Sequence, residues 1–179
     1  MTYCGAKAPP DGGRFARCLG AFIMNCGMLE LHTYCWMIGL SPKLEIPLGA
    51  SELSWAARVD WIRHKIKATK MTGSLRAEVI KELNAITKMY ELRNIVAHGP
   101  MIWGRHDDGT SFAVVPNVKK SLKGKPTKIV EFSDIEAAIP TSEAIYRRMK
   151  DLLDRVAVDI GIQVSPYPYT SSVQPPPKS

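Results

Sequence analysis

Arg93, Asn94 and His98 stand within six residues of one another in the segment Glu91-Leu92-Arg93-Asn94-Ile95-Val96-Ala97-His98-Gly99-Pro100. Each brings a group suited to phosphate chemistry. Arg93 offers a planar, permanently charged fork that matches phosphate oxygens. An imidazole such as that of His98 can serve as general base or general acid. Asn94 both donates and accepts, so it can orient the imidazole or hold a substrate oxygen. On a helix, Asn94 and His98 are four apart and share a face. Arg93 and His98 are five apart, which separates them by about 140° around the axis. One isolated helix therefore does not readily aim both at one phosphate. A second copy of the same helix, packed antiparallel across a two-fold axis, supplies a facing set. Dimerisation through this helix is thus part of any catalytic reading.

The chemistry is bounded by what is missing. The sequence has no G-x-S-x-G nucleophile motif, no phosphate-cradling glycine loop and no acidic metal cluster. Metal-free chemistry on a phosphodiester remains. In RNA the 2′-hydroxyl is its own nucleophile, so an enzyme needs only proton transfer and charge stabilisation. Two plainer roles stay open. The same groups can bind RNA, a nucleotide or a protein partner without turnover. They can also simply pack, with Arg93 paired to an acid such as Glu30 while Asn94 and His98 cap backbone.

The elements that must position these residues follow from apolar spacing. From about Arg14 to Leu40, Phe15, Leu19, Phe22, Cys26, Leu29, Met37 and others recur at three and four, and Ser41-Pro42 ends the pattern. Residues 41–50 read as a loop. A second helix is expected from about Glu52 to Thr69, with Trp55, Val59, Ile62 and Ile66 as its apolar stripe. Arg58, Arg63, Lys65, Lys67 and Lys70 read as its solvated face, and Gly73-Ser74 as the break after it. The third helix is expected over about Leu75 to His98, on a seam of Val79, Leu83, Ile86 and Tyr90 that continues into Arg93 and Ala97. Its last turn is apolar nearly all round apart from the three polar residues, which predicts burial. Gly99 suits a left-handed C′ position, and Pro100 cannot continue the helix.

Beyond it, Met101 to Arg105 and Thr110 to Val115 flank Asp107-Asp108-Gly109, a hairpin signal, and Lys128 to Phe132 reads as a third strand. Residues 119–128 carry five lysines and no acid, a solvated loop or a phosphate-tracking one. Ser133-Asp134-Ile135-Glu136 has the form of a capping box. Pro140 is expected to interrupt, with Thr141 or Ser142 capping a last helix that runs to Ile160, lined by Ile145, Met149, Leu152 and Val156 and ended by Gly161. The fold class is therefore mainly α: a bundle of four to five helices with a small β-hairpin insert (101–132) before the last long helix. Residues 1–13 read as a loose leader, 14–161 as one domain, and 162–179 as a proline-rich tail without means of packing.

A chain of 179 residues with 45% apolar content can build one core, and its net charge of +7 favours acidic partners such as nucleic acid. Cys4, Cys18, Cys26 and Cys35 show no C-x-x-C pair and no histidine at zinc spacing. They read as reduced thiols of a cytoplasmic protein. No cofactor and no metal is called for. Asn25, Glu30 and His32 interrupt the most apolar stretch, so no membrane span is expected.

Arg93-Asn94-Ile95-Val96-Ala97-His98 matches the R-N-x-x-x-H motif of the HEPN superfamily. Leu19-Gly20-Ala21-Phe22 followed by Leu29-Glu30 in a first long helix is similar to the opening of many bacterial HEPN-like proteins. Element order and helix lengths agree over roughly residues 15–160. This resemblance implies a HEPN-like helical domain, often dimeric. It implies a metal-independent endoribonuclease of the kind found in toxin–antitoxin and phage-defence systems, with an antitoxin or operon partner. By the same resemblance His98 is the acid/base, Arg93 the phosphate stabiliser and Asn94 the supporting polar residue, with Glu30 facing the site from the first helix. Some members of the superfamily bind rather than cut.

Overall fold

The computed structural model describes residues 12–41, 49–100, 102–105, 111–116 and 129–161. Within them lie α1 (Gly12–Gly39), a single 3-10 turn (Ala50–Glu52), α2 (Trp55–Ala68), α3 (Gly73–His98), β1 (Ile102–Arg105), β2 (Ser111–Pro116), β3 (Ile129–Glu131) and α4 (Phe132–Asp159). The expected mainly helical bundle with a hairpin before the last long helix is the observed architecture. The leader up to residue 11, residues 42–48, the Asp107-Asp108-Gly109 turn, the lysine-rich residues 119–128 and the tail from residue 162 lie outside the described residues.

The helices form where apolar side chains return at three and four, and those faces meet in one core. Phe22, Leu29, Trp36 and Met37 of α1, Ile62 and Ile66 of α2, Val79, Leu83 and Ile86 of α3, and Ile135, Ile145 and Met149 of α4 are essentially inaccessible. Each such side chain stabilises the fold by about 1.5–3 kcal/mol relative to exposure. The buried Trp36 indole satisfies its N–H by donating to the Met149 carbonyl at 3.1 Å. Polar pairs fix helix direction. Arg14 meets Glu136, Asn25 meets Ser142, and Trp36 meets Met149, so α1 and α4 run the same way. Arg148 bonds Glu82 and Arg155 bonds Glu78, so α3 runs against α4. Trp55 packs on Tyr90 and Arg63 bonds Asn84, so α3 also runs against α2. The C-terminal end of α3 is thereby carried back beside the first turns of α4 and the N-terminal half of α1.

The strands make one antiparallel sheet in the order β1-β2-β3, with Ile102 opposite Val114, Arg105 opposite Ser111 and Val115 opposite Val130. Val115 and Val130 are buried in the common core. The sheet thus rests where α3 ends and α4 begins, next to the polar residues of α3.

Several expectations need correction. α2 begins at Trp55, three residues later than expected, because the Ser54 hydroxyl accepts from the Ala57 N–H and caps it. Gly73 opens α3 rather than breaking the pattern, since the break falls at residues 69–72. Gly99 is not left-handed: its φ and ψ are −84° and 148°. Pro100 clashes with an α-conformation at the preceding residue and drives it into extended backbone, which ends the helix without a left-handed cap. α4 starts at Phe132 with Glu131 as N-cap, and the Glu131 N–H donates to Asp134 Oδ2 at 3.0 Å, so Ser133 is not the cap. Pro140 does not interrupt; it lies inside α4. Asn25 of α1 donates to the Ile139 carbonyl at 3.3 Å and to Ser142 Oγ at 3.1 Å, and Thr141 Oγ1 donates to the Ala137 carbonyl at 2.8 Å. These bonds and the buried α1 face hold the chain helical through a residue that removes one internal bond.

Arg58 belongs to the core, not to a solvated face. It is 3% exposed, stacks on the Tyr34 ring at 4.3 Å and donates to Glu30. Its place is a matter of spacing, since it follows Trp55 by three and precedes Ile62 by four. Glu82, three after Val79 and four before Ile86, is buried for the same reason and accepts from Arg148 Nε at 2.7 Å.

Candidate functional site

The site residues sit on the last two turns of α3. Leu92 and Ile95 are half-buried against the core and Val96 is buried, which anchors this end of the helix. The Gly99 N–H closes the last turn on the Ile95 carbonyl at 2.7 Å. The expected burial of the whole helix end is met only on that side. Arg93 and Asn94 are half-buried, whereas Ala97 and His98 are exposed, because the chain leaves the helix there and no described element covers them.

Arg93 Nη1 donates to Asn94 Oδ1 at 3.2 Å. The bond draws the guanidinium toward the side of α3 that Asn94 shares with His98. It also orients the asparagine: its oxygen is engaged, and its NH₂ remains as a donor. A guanidinium has five N–H donors and no acceptor, so the pair presents an excess of donors, as an anion site requires. The Arg93 charge also reaches α1. Burial pushes the Cys26 thiol up to about 12, and Arg93 pulls in the opposite direction. The guanidinium is therefore bonded to Asn94 and within electrostatic reach of the middle of α1.

Glu30 does not pair with Arg93. It is engaged with Arg58, one turn further along α1 than Cys26, and its side chain is 41% exposed. The reason is the helix directions: α1 advances toward α2's Arg58 as α3 retreats toward its own C-terminus. Glu136 of α4 is engaged at the start of α1, where it accepts from Arg14 and lies against the Cys18 thiol. Among the described residues nothing hydrogen-bonds the His98 imidazole. The structure thus brings Arg93 and Asn94 into contact and leaves His98 one turn on, on the Asn94 face, open to solvent.

Chemically, one chain carries a donor-rich Arg93–Asn94 pair and an accessible imidazole on one helix end. No group of three or more His, Cys, Asp or Glu side chains among the described residues is placed to hold a metal ion. No helix among them is long and apolar enough to cross a membrane. Sequence reasoning missed the Arg58–Glu30 pair. The signal was present, since a charged residue on the apolar stripe of α2 must either be paired or break the helix away from the core. Comparison with family models, with curated proteins and with solved structures finds no match for this chain.

Proposed function

We propose that the chain is a HEPN-type, metal-independent endoribonuclease whose site is completed by a second copy through α3. The observation that carries the reading is the Arg93–Asn94 bond at 3.2 Å beside an exposed His98. A donor pair of the kind that suits an anion stands one turn from an imidazole that solvent can reach. In the proposed reaction His98 takes the proton of an RNA 2′-hydroxyl. The 2′-oxygen then attacks the adjacent phosphorus. The P–O5′ bond breaks, the proton passes to the leaving 5′-oxygen, and the products are a 2′,3′-cyclic phosphate and a 5′-hydroxyl. Arg93 stabilises the charge that builds on the non-bridging oxygens, and Asn94 holds Arg93 in place. The net charge of +7 supports RNA as the partner, by attraction to the phosphate backbone. A cytoplasmic setting and an antitoxin or operon partner in a toxin or phage-defence system belong to the same reading.

The test is incubation of the purified chain with RNA in EDTA. Products ending in 2′,3′-cyclic phosphate are expected from the wild type and not from His98→Ala. Cleavage that persists in His98→Ala refutes the role of that residue. The alternative is a HEPN-like module that binds RNA, a nucleotide or a protein partner through the same donors. It is favoured if Arg93→Ala weakens binding while no variant, wild type included, turns substrate over.

A further inference from the structure

The acids and the lysines of α3 are sorted to different sides. Glu78 accepts two bonds from Arg155 and Glu82 one from Arg148, so both acids meet α4. Lys81, Asn84 and Lys88 follow one another at three and four and form a separate, exposed stripe. Asn84 joins this stripe to α2, because Arg63 Nη2 donates to Asn84 Oδ1 at 3.2 Å. The two helices run in opposite directions. Lys67, one turn past Arg63, therefore comes level with Lys81, one turn before Asn84. Lys67, Lys81 and Lys88 are all exposed, and none has an ion-pair partner among the described residues.

The seam is basic in sequence as well. From Asp60 to Glu78 the chain passes Arg63, Lys65, Lys67, Lys70 and Arg76 without meeting an acid. Asp60 itself is held by Arg63. Glu91, one turn beyond Lys88 toward His98, bounds the patch. Unpaired lysines grouped around a positioned guanidinium fit a chain of phosphates. An anionic membrane surface also attracts lysines, but a surface helix that binds one inserts apolar side chains. The large apolar side chains exposed among the described residues are Met24, Met28, Leu31, Ile102 and Val158, and all lie outside α2 and α3. The patch therefore offers charge and nothing to insert, which favours nucleic acid.

We infer that the α2–α3 seam is a second contact surface for RNA, on which Lys67, Lys81 and Lys88 hold the phosphate backbone away from the cut. Lys88 and Lys81 precede His98 by ten and seventeen residues, about 15 and 25 Å along α3. At about 3.4 Å per stacked nucleotide, a strand placed at His98 meets them about four to seven nucleotides away. The contacts reach backbone only, so they set affinity and the length of strand required, not sequence preference. Lys88 and Ala97 are nine apart and stand on opposite sides of α3. A second copy docked on the Ala97 side thus leaves the lysines open. The inference rests on the proposed reading for RNA as the partner, but not for turnover.

Fluorescence anisotropy of the full chain with labelled oligouridine tests it, at several salt concentrations. The riboses are 2′-O-methylated, so the strand cannot be cut, and its length of about twelve nucleotides spans both places. The wild type is expected to bind. The variant Lys67→Ala/Lys81→Ala/Lys88→Ala is expected to bind at least about tenfold more weakly at about 0.1 M salt, with the slope of log affinity against log salt shallower by about 2. On an oligomer of about four nucleotides, which cannot span both places, the same variant is expected to match the wild type. Arg17→Ala/Arg147→Ala/Lys150→Ala removes equal charge from α1 and α4 and is expected to keep the wild-type slope. Melting temperatures of both variants are expected to stay at the wild-type value, since every substituted side chain is exposed. A wild type that does not bind the longer strand overturns the inference. So does a lysine variant with wild-type affinity and slope, or a control variant that loses as much. Lysine-dependent binding to anionic vesicles without binding to RNA assigns the face to a membrane and equally overturns it. Lysine-dependent RNA binding by a wild type that never cleaves RNA upholds this surface and refutes the nuclease.

Discussion

Mixing two inactive variants is the most direct test of a site shared between chains. Arg93 and His98 are five apart on α3, about 140° around its axis. Arg93 bonds Asn94 and is within electrostatic reach of Cys26, and His98 is exposed at the last turn. If each site takes Arg93 from one chain and His98 from the other, Arg93→Ala and His98→Ala each damage both sites of a homodimer. Either loss is expected to cost about 10²–10⁴-fold in turnover. In a heterodimer of the two variants, one site receives both substitutions and the other receives neither. Random reassociation of equal amounts makes about half the dimers heterodimers, each with one working site of two, so activity returns to about a quarter of wild type. The assay is cleavage of a fluorescent RNA in EDTA after co-denaturation and refolding, with native mass spectrometry to count heterodimers. Both substitutions lie at a partly exposed helix end, so both chains are expected to fold. Heterodimers that form in the expected proportion but remain as inactive as the parents refute a site built from Arg93 of one chain and His98 of the other.

His32 is 2% exposed, against the edge of Tyr146, and its pKa is lowered by burial first and by the charge of Lys150 second. The unfolded chain therefore binds the proton more readily, so this contribution to stability is full above the ordinary histidine value of 6.5 and is lost as pH falls through the lower folded value. Unfolding free energies from urea titration are expected to fall from about pH 7.5 to about pH 5, by up to about 1.4 kcal/mol per pH unit, and to fall less in His32→Phe; an unchanged slope in that variant contradicts the assignment. The Arg58–Glu30 pair is expected to respond asymmetrically. Glu30→Gln leaves a buried guanidinium without its counter-charge and costs about 2 kcal/mol, whereas Arg58→Met, which fills the same space without a charge, is near neutral in a denaturant titration. Equal losses in the two variants contradict a desolvated cation as the cause.

Most of the fold was legible because burial on a helix repeats at three and four. Trp55, Val59, Ile62 and Ile66, or Ile145, Met149, Leu152 and Val156, read as buried faces from spacing alone, and the structure buries all of them. Misreadings arose where residue type and position disagree. Pro140 is a helix breaker by its chemistry, and it stays in α4 because Asn25, from a helix more than a hundred residues earlier in the chain, bonds the backbone and side chain beside it. Arg58 looked like surface by its charge, and it is core by its place in the stripe. For the candidate site, the sequence placed Arg93, Asn94 and His98 on one helix end. It could not tell that Glu30 would go to Arg58 and leave Arg93 to Asn94, because that depends on how α1 lies across α2 and α3.

The sequence alone determines the helical periods, the hairpin pattern and the Arg93–Asn94–His98 spacing, since each is set by neighbours within a few residues. Only tertiary structure decides that Glu30 goes to Arg58, that Arg93 lies within electrostatic reach of Cys26 and that His98 stays exposed. Those outcomes depend on helix direction. The core's packing sets that direction, and no local signal in the chain encodes it.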